Sequence, residues 1–594
     1  MRALKPLIAV SAVALVSLAA CTGSGSSPSD AQGTADISNF GQSQMGQDPA
    51  RQAPAAKIDG ARKGGTLRVI SSGGTSTFGL TEAFRNLNLS ILGGLVVRSL
   101  TQYSYDPKTK TMVLVPDLAT DLGVPNDDFT SWTFTIRKGV KFENGHEVTP
   151  ADIKYAIERS MDRKTFPSGL RYSSQYFRNA DEYAQKVERA AKQPDSGGNY
   201  HGVEYNGVVV DGQKLTIKMA RPFPNMPYWG AFPAMSPIPA GNAVPSKYSK
   251  HPLATGPYMF DTYTPGKSLT LVKNPEWDAD TDPARRQLVD AFDFDFDVDV
   301  NKVDEIMVSD KGDATTTVSI NSVLRQDYAN FDKDRLVTGP YPCTNMLDPD
   351  NRKITNVNVR RALGWAFPYK DYYAASGAIL GVTRVPATNV FPPGVPGRKK
   401  YNPLPGHKPW STDADKAKKL LEQEGKLGYV LKWPYYKDIS TSVASKDVLV
   451  KALTKAGFDP QPIGTTSEQQ SQYALNPDAD INLRFVGWCA DWPSGSFWFR
   501  TAFQSTDFDE EGFGGNFSAF SNKHLDARIN EIGKMPLDQQ PKAWNALDKT
   551  MQTKYYPIIT LSYTSKALMR GSEVHGVSVD NIRGVPTWKR IWLG

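Results

Sequence analysis

The stretch WTFTIRKGVKFENGHEVTPADIKYAIERSMD, residues 132–162, constrains the fold of this 594-residue chain more than any other. It opens with strict alternation: Trp132, Phe134 and Ile136 fall on one face, the pattern of a half-buried strand. Asn144-Gly145 then gives a tight turn, because both residues tolerate positive φ. Thr149, Pro150 and Asp152 follow as the cap, first and third positions of a helix. The hydroxyl and carboxylate can satisfy backbone N–H groups that a first turn leaves unpaired, and proline has no N–H to lose there. A chain that passes from period two to a capped helix in one short unit builds mixed layers.

The same interleaving recurs along the chain. GGTLRVI (64–70) reads as a strand, and GVVVDGQKLTIKMARP (207–222) as a hairpin turned at Asp211-Gly212. FDFDFDVDV (292–300) alternates strictly and predicts a strand with one acidic face. NVRRALGWAFPYKDYYAA and DADKAKKLLEQEG are helical, and HLDARINEIGK with QQPKAWNALDKTMQTKYYP forms a late helical pair. The class is therefore α/β, and the length favours roughly two to four domains. No internal repeat is visible.

The N-terminus places this body outside the cytoplasm. Arg2 and Lys5 precede an apolar run, Leu7–Ala20, too short to span a bilayer and suited to a signal peptide. The run ends in Leu18-Ala19-Ala20-Cys21, which resembles the lipobox of bacterial lipoproteins. Cleavage would leave Cys21 as the lipid-bearing first residue. Residues 21–60 are rich in Gly, Ser, Gln, Ala and Pro and read as a lipidated flexible tether. Two further cysteines, Cys343 and Cys489, remain. In an exported chain they form either a disulfide, worth about 2–4 kcal/mol, or two buried thiols.

Little in the sequence points to catalysis. There is no GxSxG, HExxH, Walker A lysine motif or Cys/His zinc spacing. The six histidines, His146, His201, His251, His407, His524 and His575, are scattered singly. Asp293, Asp295, Asp297 and Asp299 line one face of a strand, whereas a calcium loop must wrap its ion. They read as a solvated face. The formal charge of +7 is spread along the chain, with only short clusters such as Arg398-Lys399-Lys400, so nucleic acid is not an expected partner. No cofactor or metal is expected, and binding is favoured over catalysis.

Several blocks, in order, resemble the extracytoplasmic solute-binding proteins of the peptide-and-nickel class (family 5), which serve ATP-driven importers. They are GGTLRV, the 132–162 unit, ATGPYMFDTYTPGKSLTLVKNPEW (254–277), VNVRRALGWAFPYKDYY (357–373), FVGWCADWPSG (485–495) and GGNFSAFSNKHLDARINEI. The resemblance implies two α/β lobes joined by a hinge, with an additional domain inserted in the first. Lobe I would comprise 61–102, 250–342 and 564–594, the inserted domain 103–249 and lobe II 343–563, after a signal peptide of 1–20. It also implies a monomer that hands its solute to permease subunits, lipid-anchored on the extracellular side of the cell membrane.

GWCAD (487–491) is similar to a segment of oligopeptide-binding members, whose cysteine pairs with one in a PY-x-C-T segment. GPYPCTNML puts Cys343 in that place, so the resemblance implies a Cys343–Cys489 bridge. In those members the aspartate two residues after the cysteine receives the peptide's α-ammonium; here that is Asp491. The alternative for Asp491 is a turn cap. Gly487, Trp488 and Cys489 would pair with the peptide backbone, and Trp488 and Trp492 would line the cleft or pack in the core. Those members also carry an arginine in the preceding strand that meets the peptide carboxylate. Here Phe485 stands in its place and Arg484 one residue earlier, which on a strand is the opposite face. Other solutes remain open: an oligosaccharide, an opine-like compound or a metal chelate, as does a signalling lipoprotein uncoupled from import.

Overall fold

A computed structural model describes residues 44–241, 245–505 and 515–594. The expected signal peptide, Cys21 and the expected tether as far as residue 43 lie outside the described residues.

The chain opens with β1 (Gly46–Gln47), β2 (Thr66–Ile70), β3 (Thr101–Asp106) and β4 (Thr111–Pro116). Next come β5 (Val124–Pro125), β6 (Ser131–Thr135), β7 (Val208–Asp211) and β8 (Lys214–Lys218), which form one antiparallel sheet in the order β5-β6-β8-β7. In the 132–162 unit, Trp132, Phe134 and Ile136 are all buried, as their alternation requires. Gly145 takes φ +84 at the turn. The backbone N–H of Thr149 donates to the Asp152 carboxylate at 2.8 Å as the helix Pro150–Ser160 begins. The predicted 207–222 hairpin also forms, with Asp211 opposite Lys214.

The spine of the molecule follows: β9 (Tyr258–Thr264), β10 (Ser268–Lys273), β11 (Ala291–Asp295), β12 (Thr317–Ser322), β13 (Leu336–Pro349) and β14 (Arg384–Pro386). Then come β15 (Tyr429–Tyr436), β16 (Phe458–Thr465), β17 (Leu483–Cys489) and β18 (Ile559–Arg570). A nine-stranded mixed sheet runs β17-β13-β18-β12-β2-β11-β10-β9, with β14 added to β18. The architecture is a two-lobed α/β fold.

Two long strands carry the chain from one lobe to the other. Leu336–Pro340 of β13 pairs with Ser565–Met569 of β18, beside β12 and the first lobe. Thr344–Leu347 pairs with Tyr563–Ile559 of β18 and, on its other side, with β17 of the second lobe. The ladder is irregular between Pro340 and Thr344. Cys343 lies within that irregularity, and Tyr563 is the β18 partner of Thr344 at its end.

Two elements differ from their sequence reading. The acidic strand stops at Asp295, and the Asp299 carboxylate accepts from the N–H groups of Asn301 and Lys302 as the cap of helix Val300–Ser309. Alternation and an N-cap aspartate cannot be told apart by spacing alone. Residues 44–60, grouped with the tether by composition, lie on the body. Met45 is 3% exposed and its N–H donates to the Gly394 carbonyl at 3.0 Å. β1 pairs in parallel with β4, and the Ala55 N–H donates to the Asp282 carbonyl. Backbone hydrogen bonds hold this segment, and composition is blind to them.

Candidate functional site

β17 pairs with β13 on one side only, so its other edge is open toward its C-terminal end. Gly487 stands opposite Asn345 and Cys489 opposite Cys343. Cys343 and Cys489 are joined by a disulfide, across a sequence separation of 146 residues. Side chains alternate along the strand. Trp488 points to the face opposite that of Gly487, is 7% exposed and packs on Phe497 with ring centres 5.8 Å apart. On the Gly487 face, the Asn345 amide donates to the hydroxyls of Ser562 and Thr564 at 3.1 and 3.0 Å.

Beyond Cys489 the chain turns through Asp491 and Trp492 into the helix Gly495–Phe503, whose capping oxygen belongs to Ser494. Asp491 is left for other work. Its Oδ2 accepts a hydrogen bond from the Tyr172 hydroxyl at 2.6 Å, from the segment between β6 and β7. Burial raises the Asp491 carboxyl above its ordinary value, against the pull of the Tyr172 hydrogen bond and the Arg583 charge. Trp492, 3% exposed, lies 4.6 Å from the Tyr172 ring and meets Phe232 edge-on at 6.4 Å. The Asn225 amide donates to the Ser496 hydroxyl at 3.0 Å. These contacts close the cleft around Asp491.

Side chains with no motif to announce them complete the wall. Arg583, 6% exposed, lies 4.4 Å above the Phe232 ring. It is held by a turn in which the Asp580 carboxylate accepts from the N–H groups of Ile582 and Arg583. Gly584, at φ +67, lets that turn approach Tyr341: a Cβ there would lie 2.5 Å from the ring. The Tyr341 hydroxyl accepts from the Asn86 amide at 2.5 Å. Lys566 lies 5.6 Å from the centre of the same ring, and Arg384 stands opposite Thr564.

Arg484 does not reach the cleft. It stands opposite Asp348, is 3% exposed, lies 3.6 Å from the Asp350 carboxylate and donates to the Asn476 carbonyl. Phe485, on the other face, stacks on Tyr372 at 5.4 Å. The one-residue shift therefore has the effect that strand geometry demands.

A separate hollow lies beside this wall. A cavity of about 750 Å³ is lined by Tyr103, Asp580, Arg583, Trp588 and Lys589, together with residues 54–59. Asp491 and Trp492 do not line it, and Arg583 and Asp580 connect it to the cleft wall. Among the described residues no group of three His, Cys, Asp or Glu could hold a metal ion, and no helix is long and apolar enough to cross a membrane.

Residues 113–510 match the family model for bacterial extracellular solute-binding proteins, family 5. The periplasmic oligopeptide-binding protein OppA of Salmonella typhimurium is 23% identical over 447 residues, 71% of this chain and 76% of that protein. The glutathione-binding protein GsiB of Escherichia coli O1:K1 / APEC is 22% identical over 426 residues, 68% of this chain and 71% of that protein. Among solved structures, the clavulanic acid biosynthesis oligopeptide binding protein 2 superposes with a TM-score of 0.78 at 20% identity. That match covers 92% of this chain and 99% of the other. These relatives and neighbours are binding proteins, not enzymes.

Proposed function

The chain belongs to the bacterial extracellular solute-binding proteins of family 5, and we propose that it captures peptides with a free N-terminus between its lobes for delivery to an ABC-importer permease. Asp491 carries this reading. It is a carboxylate enclosed at the meeting of the lobes, with Tyr172 on one oxygen and the other left for a ligand donor. An ammonium offers three donors and a full charge, and every free peptide has one whatever its side chains. The open edge of β17 supports the second half of the reading. A peptide laid along Gly487–Cys489 would add a strand and gain main-chain hydrogen bonds without its sequence being read. Trp492 walls the ammonium end, while Trp488 acts through the packing beneath the strand. Relatives named for oligopeptide and for glutathione binding agree with a peptide-like solute. Cleavage before Cys21 and lipidation of Cys21 would keep the protein on the extracellular face of the membrane.

Mass spectrometry of whatever the purified chain releases on denaturation tests the reading. Short peptides with free N-termini are expected, as is weaker binding of N-acetylated tripeptides than of free ones. A single sugar, chelate or other compound in the cleft overturns it, as does equal affinity for the free and acetylated forms.

A further inference from the structure

Arg384 and Lys566 sit on adjoining strands where the lobes meet. Arg384 is opposite Thr564 in the β14–β18 pairing, and Lys566 lies two residues further along β18, on the same face. That face also carries Ser562 and Thr564, whose hydroxyls bind the Asn345 amide. Asn345 is opposite Gly487, in the strand that leads to Asp491. The reverse face of β18 is core, with Leu561, Tyr563 and Ala567 all buried. Arg384 and Lys566 therefore share one continuous polar floor with the peptide-binding strand.

These two cations lack anions. The Arg384 guanidinium donates to the Thr383 carbonyl, and the Lys566 ammonium lies over the Tyr341 ring. Among the described residues, no carboxylate comes within salt-bridge distance of either. Several other enclosed arginines are answered by aspartates, Arg98 and Arg285 by Asp117, Arg335 by Asp310 and Arg484 by Asp350, whereas Arg159 is met by the Thr81 hydroxyl and Arg360 by backbone carbonyls. Enclosing two like charges side by side is unfavourable until an opposite charge joins them. The strain shows in their protonation. Burial, with the Arg384 charge behind it, pushes the Lys566 ammonium down to about 8, and burial lowers Arg384 as well.

Tyr341 neighbours both a member of this positive pair and the negative pole of the cleft. Lys566 lies over its ring, while its hydroxyl, raised by burial, also feels the charges of Arg583 and Asp491. The floor thus carries charges of both signs around Tyr341.

We propose that Arg384 and Lys566 together receive the anionic end of the ligand, which for a peptide anchored at Asp491 is the C-terminal carboxylate. The assignment rests on the peptide reading above. The guanidinium supplies a planar fork that fits a carboxylate, and the ammonium supplies a compact second charge. Because both poles neighbour the one Tyr341 ring, the favoured ligand is a short zwitterion rather than a long peptide.

The test is a calorimetric titration of the full mature chain with trialanine and with its C-terminal amide. It is run on wild type, Lys566→Met and Arg384→Gln. Wild type should bind the amide about 30-fold or more weakly than the acid, the range for removing one partner of an enclosed charge pair. Each variant should bind the acid about as weakly as wild type binds the amide, and should bind the amide no worse than wild type does. Equal affinity of wild type for acid and amide overturns the assignment while leaving Asp491 as an ammonium anchor. An acid–amide gap that survives in both variants also overturns it, because the carboxylate is then held elsewhere. Binding of neither form to wild type overturns the peptide reading itself. Should Arg384→Gln fail to fold, the ligand comparison on wild type and the Lys566→Met titration still decide the matter.

Discussion

Arg98, Asp117, Asp282 and Arg285 are each no more than 1% exposed, and every charge among them is answered. The Arg98 Nε donates to Asp117 at 2.8 Å, and Arg285 bridges Asp117 at 2.9 Å and Asp282 at 3.1 Å. The remaining guanidinium donors go to carbonyls of Gly93, Val97 and Thr281. Burial would raise the Asp282 carboxyl, but Arg285 and Arg98 beside it hold it well below its usual value. Arg384 and Lys566 are half-buried and, among the described residues, have no carboxylate within salt-bridge distance. The first set fastens residues 93–117 to 281–285. The second set lies on the cleft floor. The charges of the first set neutralise one another inside the chain, and on the proposed reading those of the second are left for the solute to neutralise.

The sharpest way to break this contrast is to unbalance the network. Asp117→Asn leaves Arg98 and Arg285 sharing one carboxylate, and should lower stability by about 3–5 kcal/mol in urea unfolding. A loss under 1 kcal/mol would show that the network is no better compensated than the cleft pair. Next comes the negative pole of the cleft. Asp491→Asn keeps the shape and removes the charge, so affinity for free-amine peptides should fall by about 2–5 kcal/mol. The urea midpoint should hardly move, because Ser494 provides the neighbouring helix cap. The third effect has the opposite sign. Lys566→Met removes an enclosed charge without a partner and should stabilise the ligand-free protein, by about 1 kcal/mol at neutral pH. Destabilisation would place Lys566 with the network, as a structural charge.

The smallest effect follows from the pH dependence of that lysine. Its folded value, about 8, lies below the ordinary 10.5. Between these values the folded chain holds fewer protons than the unfolded one, so this contribution to stability rises with pH. The penalty is complete below about 8 and is relieved toward 10.5. The stability advantage of Lys566→Met over wild type should therefore shrink from pH 7 to pH 10. A constant advantage would mean that the lysine titrates normally.

The elements legible in the sequence were those built from neighbours in the chain. Alternation at Trp132, Phe134 and Ile136, the turn at Gly145 and the cap at Thr149 are local, and each stands where its spacing required. The Cys343–Cys489 bridge was legible through resemblance, and the same segment is the ground on which Asp491 is proposed. Tyr172, Arg583, Arg384 and Lys566 were not. They arrive from four separate stretches, and only the folded chain brings them to one cleft. Lys566 left a faint trace, a charge inside an otherwise uncharged run, ITLSYTS before it and ALM after it. Trp488 and Trp492 looked alike in sequence, yet strand alternation sends Trp488 beneath β17 and the turn after it sends Trp492 to the lobe junction. Residues 44–60 escaped notice because backbone pairing leaves no mark on composition.

The open edge of β17 has a consequence for how these proteins coexist. An unpaired strand edge is a template for any extended chain, including a neighbouring copy or an unfolded one. The molecule places that edge between its lobes, where Trp492, Tyr172 and Phe232 shut over its end. On the proposed reading, a captured peptide would also serve for a time as the missing strand, keeping that edge from pairing with another chain.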